Sequence, residues 1–577
     1  MWTKSLPTQP LGVCSCFILV ALFFSLLRKP TNELRTLTTE GMKALLLDPA
    51  TTQIISAVYS QTQILEQEVY LVEILGKRHE PMMHLKAAIF VQPTESNLAL
   101  LTKELKEPKF AEYHIFFSNI VPNDILTRLG RADEFEVVKQ VQEYYADYLA
   151  VNTDFFQLGI DNSLILSSSS MSRSLESSQI YERNLSGVLS LLLSLKKRPS
   201  QIRYQGSSEL ARKLASDVLN RIERDEIFDF RRQEGPMLLI LDRRDDPITP
   251  LLTQWTYQAM VHELLGLNNN RVILKGAPGI RKDLEEVVLS SSDDNFFSDN
   301  RNANFGDLGT SIKNLLDEYQ RKSKMNENIT SVEDMQNFME RFPAFRSQAI
   351  NVSKHVALMS ELARLVDVCK LLDISQLEQE IACTSDHNGH YRELFEKLGS
   401  PSVQAADKLR LALLFIIRYE SYNESGQIKA KLNEQGISPQ KCAIIDALME
   451  YAGDNRRAPG LFSSGGIMST LSKSLTSSIN GVENVYTQHQ PLMCSVLNAF
   501  SKGSIKDSVY PLVNAGGSSR PTELIIFIVG GATYEESCKV SEFNTSMPNT
   551  RVILGGSCVH NSTSFLKEIG KQFSGKK

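Results

Sequence analysis

Residues 238–266 read LLILDRRDDPITPLLTQWTYQAMVHELLG. The run MLLIL (Met237–Leu241) is apolar at every position, which predicts a central strand covered on both faces. It ends abruptly in Asp242, Arg243, Arg244, Asp245 and Asp246, passes Pro247 and Pro250, and continues in a helical pattern. The carboxyl ends of strands are where α/β folds gather their sites, so the cluster is either a carboxylate centre or architecture. Three acids offer oxygens to a divalent cation. Arg243 and Arg244 compete for the same carboxylates through bidentate pairing, the spacing is not DxD, and no second acid-rich strand end appears. The structural alternative has Asp242 or Asp246 capping backbone donors at the turn while the prolines stiffen the entry to the next helix.

Outward from this strand, the N-terminal side alternates. MKALLLD (Met42–Asp48), IISAVYS (Ile54–Ser60), VYLVEIL (Val69–Leu75), LKAAIFVQP (Leu85–Pro93) and EYHIFFSN (Glu112–Asn119) read as strands. Thr94 reads as the N-cap of a helix between the last two, and Asp133–Val151 as a helix. Asn162–Ser178 is serine-rich and reads as a loop, and Leu185–Leu195 as a helix. From Leu267 to Phe500 the signals are almost wholly helical, with a Ser/Gly-rich loop at Gly453–Gly481. Strands return in ELIIFIV (Glu523–Val529) and RVIL (Arg551–Leu554). A sheet begun before a helical insertion and completed after it is the economical architecture.

The chain has 577 residues, too many for one ordinary core. Its 42% hydrophobic and 22% charged content is a globular balance, and a net charge of -5 without an aromatic-laced basic stripe argues against nucleic acid. Eight cysteines without a CxxC pair read as reduced thiols of a cytosolic protein. Leu11–Leu27 is uncharged, at the short limit for a membrane span. The heavier positive flank (Arg28, Lys29, Arg35) follows it, which would leave the body of the chain cytosolic. A short anchor, a cleaved signal, and a peripheral extension or gene artefact that the fold does not use all remain open.

Other motifs carry little chemistry. Gly530-Gly531 and Gly555-Gly556 follow apolar strands, but neither is GxGxxG nor the GK[ST] of a P-loop, so tight strand-to-helix turns are expected. Cys383, His387 and His390 in CTSDHNGH lack a partner cluster for a tetrahedral zinc set. No GxSxG is present. The residues call for no cofactor, no metal and no catalytic group. That favours a binding scaffold over the competing class, a metal- or nucleotide-dependent enzyme using the Asp242–Asp246 turn or the glycine loops.

Taken with GMKALLLD, LKAAIFVQPT, YHIFFSN, NFGDLGTSIKNLL, NVYTQHQPLM, IIFIVGGATYEE and RVILGGSCVHNSTSFL, in that order along the chain, the opening stretch resembles the signature of the Sec/Munc (SM) family of vesicle-fusion regulators. The resemblance runs from about Gly41 to Ile569, and residues 1–41 depart from it as a divergent extension, which favours the last of the three N-terminal readings. It implies an arch-shaped α/β fold of three domains, two with parallel sheets and a large mainly helical one inserted in the second. Domain 1 would span 42–152, domain 2 would combine 153–266 with 501–577, and domain 3 would be 267–500.

The function implied is that of a non-enzymatic protein that clasps a syntaxin-type Qa-SNARE of the trans-Golgi network and endosomes. It would promote SNARE complex assembly for vesicle docking and fusion in Golgi, endosome and vacuole transport. The resemblance further implies a Rab effector on endosomes as a partner and peripheral attachment to Golgi and endosomal membranes. It assigns a pocket for the syntaxin N-terminal peptide to Leu126, Val138, Val141, Glu143 and Tyr144. It assigns a SNARE-templating hairpin to residues 307–370, including Phe338, Pro343, Phe345 and His355, with Pro343 at the bend. Asp242, Asp246, Pro247, Pro250, Trp255 and Tyr257 are expected to be structural, with the Trp255 helix bracing domain 2.

Overall fold

The computed structural model describes residues 42–59, 61–168, 174–230, 235–291, 294–327, 332–458, 461–462, 485–514 and 520–573, with the backbone alone for 322–327, 332–345 and 347. Leu11–Leu27 and most of Gly453–Gly481 lie outside the described residues. Among the described residues no helix is long and apolar enough to cross a membrane. The described residues form two compact units, one within 42–242, 503–532 and 540–559, the other within 243–502, 533–539 and 560–573.

The first unit holds two sheets. Strands β1 (Lys43–Leu47), β2 (Val69–Ile74), β3 (Met82–Val91), β4 (Phe110–Phe117) and β5 (Val138–Glu143) form a parallel sheet in the order β2-β1-β3-β4-β5. Alternation along β1 decides its two cores: Leu45 and Leu47 point into one apolar cluster, Ala44 and Leu46 into the other. The second sheet contains β6 (Leu149–Asn152), β7 (Phe155–Gln157), β8 (Gln201–Tyr204), β9 (Met237–Asp242), β12 (Glu523–Val529) and β13 (Arg551–Gly556) in the order β6-β7-β13-β12-β9-β8. Pairing of β9 with β12 in parallel, Leu239 opposite Ile526, shows that the C-terminal strands complete the sheet begun before the insertion. Every residue of β9 is buried, as its composition requires. One core cluster is shared by both sheets, reaching from Leu45 and Phe90 through Leu238 and Ile240 to Phe527 and Ile553.

Several sequence expectations fail here. Ile54–Ser60 is not a strand, because the helix Pro49–Val58 takes most of it. Asp48 caps that helix through the Thr51 amide at 2.7 Å, and the Thr51 hydroxyl answers the Asp48 amide at 3.0 Å. With proline at the first helical position, this reciprocal cap outweighs the β-branched content of the segment. Asp133–Val151 is not a helix but contains β5 and the start of β6. Ser-rich Asn162–Ser178 gives way to a helix, Leu175–Leu195, capped by the Ser174 side chain.

The second unit is mainly helical. It adds one antiparallel ribbon, β10 (Arg271–Ile273) with β11 (Glu286–Val288), which the sequence did not signal. Two long helices, Phe305–Glu327 and Val332–Val368, pack against each other as a hairpin. The helix Val332–Val368 runs unbroken through Pro343, so the proline does not mark the bend of the hairpin. Losing one backbone bond costs ~3 kcal/mol or more, but the intact turns on either side of Pro343 belong to one 37-residue helix.

Candidate functional site

The opening cluster resolves into buried, partnered groups. In the first unit, Asp242 accepts from the Ser208 hydroxyl at 2.6 Å, and its amide donates to Gln205 Oε1 at 3.0 Å. In the second unit, Asp246 accepts from the Thr249 amide at 3.0 Å, the Thr249 hydroxyl at 2.7 Å and the Leu492 amide at 3.0 Å. Asp245 accepts from the Ala458 amide at 3.1 Å. Arg243 grips both oxygens of Glu536 at 2.6 Å and donates to the Asp246 carbonyl at 3.0 Å, while Glu536 also accepts from the Thr533 amide at 2.9 Å. His489 Nε2 meets the Thr249 hydroxyl at 3.1 Å. The turn after β9, the QHQPL segment and the ATYEE segment are therefore one another's partners.

The electrostatics follow from this packing. Burial works to raise Asp246, yet Arg243, His489 and the Thr249 donors outweigh it and hold the carboxyl below its usual range. Burial pushes His489 down to about 4, so it is neutral at pH 7. Burial raises Glu536 above the usual carboxyl range against the pull of Arg243. These groups form a buried polar cluster, and Pro247 and Pro250 are buried beside it in the chain.

Trp255 is buried and donates from Nε1 to Ser375 Oγ at 2.7 Å, with Phe305 edge-on at 6.2 Å. Nearby, Arg410 lies between Glu378 at 2.8 Å and Glu263 at 3.3 Å. Tyr257 places its hydroxyl 2.8 Å from His355 Nδ1, and His355 Nε2 is 2.9 Å from Asp294. His355 is fully buried, so it belongs to the base of the hairpin rather than its surface. The backbones of Phe338, Pro343 and Phe345 lie on the same helix, and their side chains are outside the described residues.

On the first sheet, β5 is an edge strand paired with β4. Its register shifts between Tyr113 and His114, so Val138, Val141 and Glu143 lie opposite Tyr113, Ile115 and Phe117. All three thereby share one face, the face on which the helix Asn123–Ala132 packs through Ile125 and Leu129. Leu126 of that helix and Val141 remain exposed, at 38% and 41%. Glu143 ties the two elements together, accepting from the Val121 amide at 2.8 Å and the Tyr145 hydroxyl at 2.7 Å. Tyr144 points to the opposite face, packs edge-on to Phe116 at 5.7 Å, and is pushed up to about 12 by burial. The structure thus brings Leu126, Val138, Val141 and Glu143 together and leaves Tyr144 in the core.

The remaining motifs have local roles. Gly530 and Gly531 form a turn with φ of 91° and 97°, which only glycine adopts freely. Gly555 and Gly556 are not a turn but the end of β13, where a Cβ on Gly555 would sit 1.9 Å from the Phe156 ring. His387 Nε2 meets Glu424 at 2.9 Å and its ring stacks on Tyr422 at 3.7 Å, while His390 Nδ1 meets the Tyr419 hydroxyl at 2.7 Å. The two histidines are thereby committed to different partners. Sequence reasoning missed Glu536, Arg410 and Asp294, since nothing local marks which distant charge a buried arginine or histidine will meet.

A profile of the Sec1 family matches residues 43–568. The chain belongs to the Sec1 family. It is 44% identical to vacuolar protein sorting-associated protein 45 of Dictyostelium discoideum over 533 residues, covering 92% of this chain and 93% of that one. It is also 44% identical to the Homo sapiens protein of that name, with 92% of each chain covered. Among solved structures, it is similar to the SM protein Vps45 in complex with the Qa SNARE Tlg2, with a TM-score of 0.87, 41% identity and 98% of each chain covered. A complex of Unc18 with syntaxin 1 from Monosiga brevicollis, at 19% identity and a TM-score of 0.77, shares the fold. The SM fold of parallel-sheet α/β domains with a helical insertion is thus the fold of this chain.

Proposed function

We propose that this protein is a SNARE-binding regulator of vesicle docking and fusion. It clasps a syntaxin-type Qa-SNARE of the trans-Golgi network and endosomes and promotes SNARE complex assembly in endosomal and vacuolar protein transport. The observation that carries this reading is the end-to-end similarity to Vps45 captured with the Qa SNARE Tlg2. In this reading residues 42–152 form the domain that receives the SNARE N-terminal peptide. Leu126, Val138 and Val141 supply the apolar floor, Glu143 holds the strand and helix in register, and Tyr144 supports it from the core. The hairpin spanning residues 307–370 templates the SNARE helices by groove recognition. The protein works as a scaffold and not an enzyme, a reading supported by the internal partners of Asp242, Asp245 and Asp246. It acts in the cytoplasm, held at Golgi and endosomal membranes through its partners, a Rab effector among them.

The test is a binding titration of residues 36–577 with the cytosolic part of a trans-Golgi or endosomal syntaxin, with and without its N-terminal peptide, against a plasma-membrane syntaxin. Tight binding to the first, weakened by peptide removal and by Leu126→Arg, is expected. Folded protein that binds neither syntaxin overturns the reading.

A further inference from the structure

The Asp294 carboxylate gathers more donors than a helix cap needs. Its Oδ1 caps the short helix Asn295–Asn300 through the Phe297 amide at 3.0 Å and also accepts from Asn351 Nδ2 at 3.2 Å. Its Oδ2 takes the Lys354 ammonium and, at 2.9 Å, His355 Nε2. Asn351, Lys354 and His355 are consecutive positions on one face of the helix Val332–Val368. A carboxylate only accepts, so His355 carries its proton on Nε2, and Nδ1 is left to accept from the Tyr257 hydroxyl. Tyr257 and Asp294 therefore grip the imidazole from both sides, and both are buried.

The position of this grip gives it leverage. From Asn351 to the hairpin end at Val332, a helix rising 1.5 Å per residue extends about 30 Å. A tilt of about 10° at the base moves that end by about 5 Å, close to one helical turn. We propose that Asp294 is a positioning residue that, with His355 and Tyr257, clamps the hairpin base and sets the direction in which the hairpin points. This rests on the reading of the hairpin as a SNARE template, for which direction determines register.

The experiment uses the full chain with Asp294→Ser, His355→Leu and His355→Gln. Serine still caps the Phe297 amide but is too short to hold the hairpin, and glutamine restores a donor where leucine has none. Hydrogen exchange is read over Val332–Val368, with the helix Ala405–Arg418 as the internal control. SNARE assembly rate and N-terminal peptide affinity are measured alongside. The serine and leucine variants are expected to exchange about tenfold faster in the hairpin alone. They should slow assembly without changing peptide affinity, and His355→Gln should recover most of both losses. Unaltered hairpin exchange in folded Asp294→Ser and His355→Leu proteins overturns the clamp. An unmodified protein that binds no Qa-SNARE overturns the functional reading instead, and the exchange result still decides the clamp.

Discussion

Both compact units have buried apolar cores, and they differ in how far charge is buried within them. In the first, aliphatic residues of one parallel and one largely parallel sheet fill continuous apolar clusters, and buried carboxylates such as Asp48 answer to nearby amides. In the second, buried ion pairs are set among the apolar helices: Arg243 with Glu536, and Arg410 with Glu378 and Glu263. Cohesion from apolar area tolerates substitution of like for like. Cohesion from buried ion pairs does not, because removing one partner strands the other charge in low dielectric. The difference explains why strings such as DRRDDPITP and ATYEE identify the fold so sharply.

The sharpest way to break this contrast is Arg243→Ala, expected to destabilise the second unit by about 3–5 kcal/mol by leaving Glu536 buried and unpaired. Replacing both partners, Arg243→Met with Glu536→Leu, should recover most of the loss. Hydrogen exchange resolved by unit is the measurement, since a chain with two units need not unfold in one step. Equal damage from the single and double changes would refute the ionic account.

Acid sharpens the contrast next. Burial holds both His489 and His262 down to about 4, below the ordinary histidine value of 6.5. A lowered histidine contributes its full stability above pH 6.5 and loses it as pH falls, because the unfolded chain takes up the proton first. Each should remove on the order of 3 kcal/mol from the second unit between pH 6.5 and 4. A urea midpoint for that unit that stays level from pH 7 to pH 5 would contradict this.

In the first unit the corresponding weakness is steric. Gly555→Ala drives a methyl into the Phe156 ring, which also stacks on Phe527 at 6.2 Å, and should cost about 1–3 kcal/mol. Phe156→Leu in the same chain should recover part of that loss, as a thermal melt would show. The smallest expected effect on stability is that of Leu126→Arg, within about 0.5 kcal/mol because the side chain is exposed. That variant is also the one expected to weaken N-terminal peptide binding. A large drop in melting temperature would return Leu126 to the core.

The sequence made the first unit's strands legible because parallel strands buried on both faces are apolar throughout, as MLLIL and IIFIV are. It misled at β5, where a register shift sets Val138 and Val141 on one face at a spacing of three, which mimics a helix. At Pro49–Val58 the capping signals of Asp48 and Pro49 were present and were overshadowed by isoleucines. Among the pocket candidates, Tyr144 could not be separated from its neighbours until β5 fixed which residues share a face. The charge partners in the second unit were out of reach, because a pair such as Arg243 and Glu536 is joined only by the finished fold.

The pairing of β9 with β12 has a consequence for synthesis. Leu238 and Ile240 leave the ribosome long before Ile525 and Phe527, their neighbours in the sheet. At about 5–20 residues per second, everything between Asp242 and Glu523 takes tens of seconds to translate. For that time β9, apolar from Met237 to Leu241, lacks its partner strand β12. The nascent chain must be shielded until its C-terminal strands arrive, so truncations before Glu523 should aggregate rather than accumulate as folded fragments.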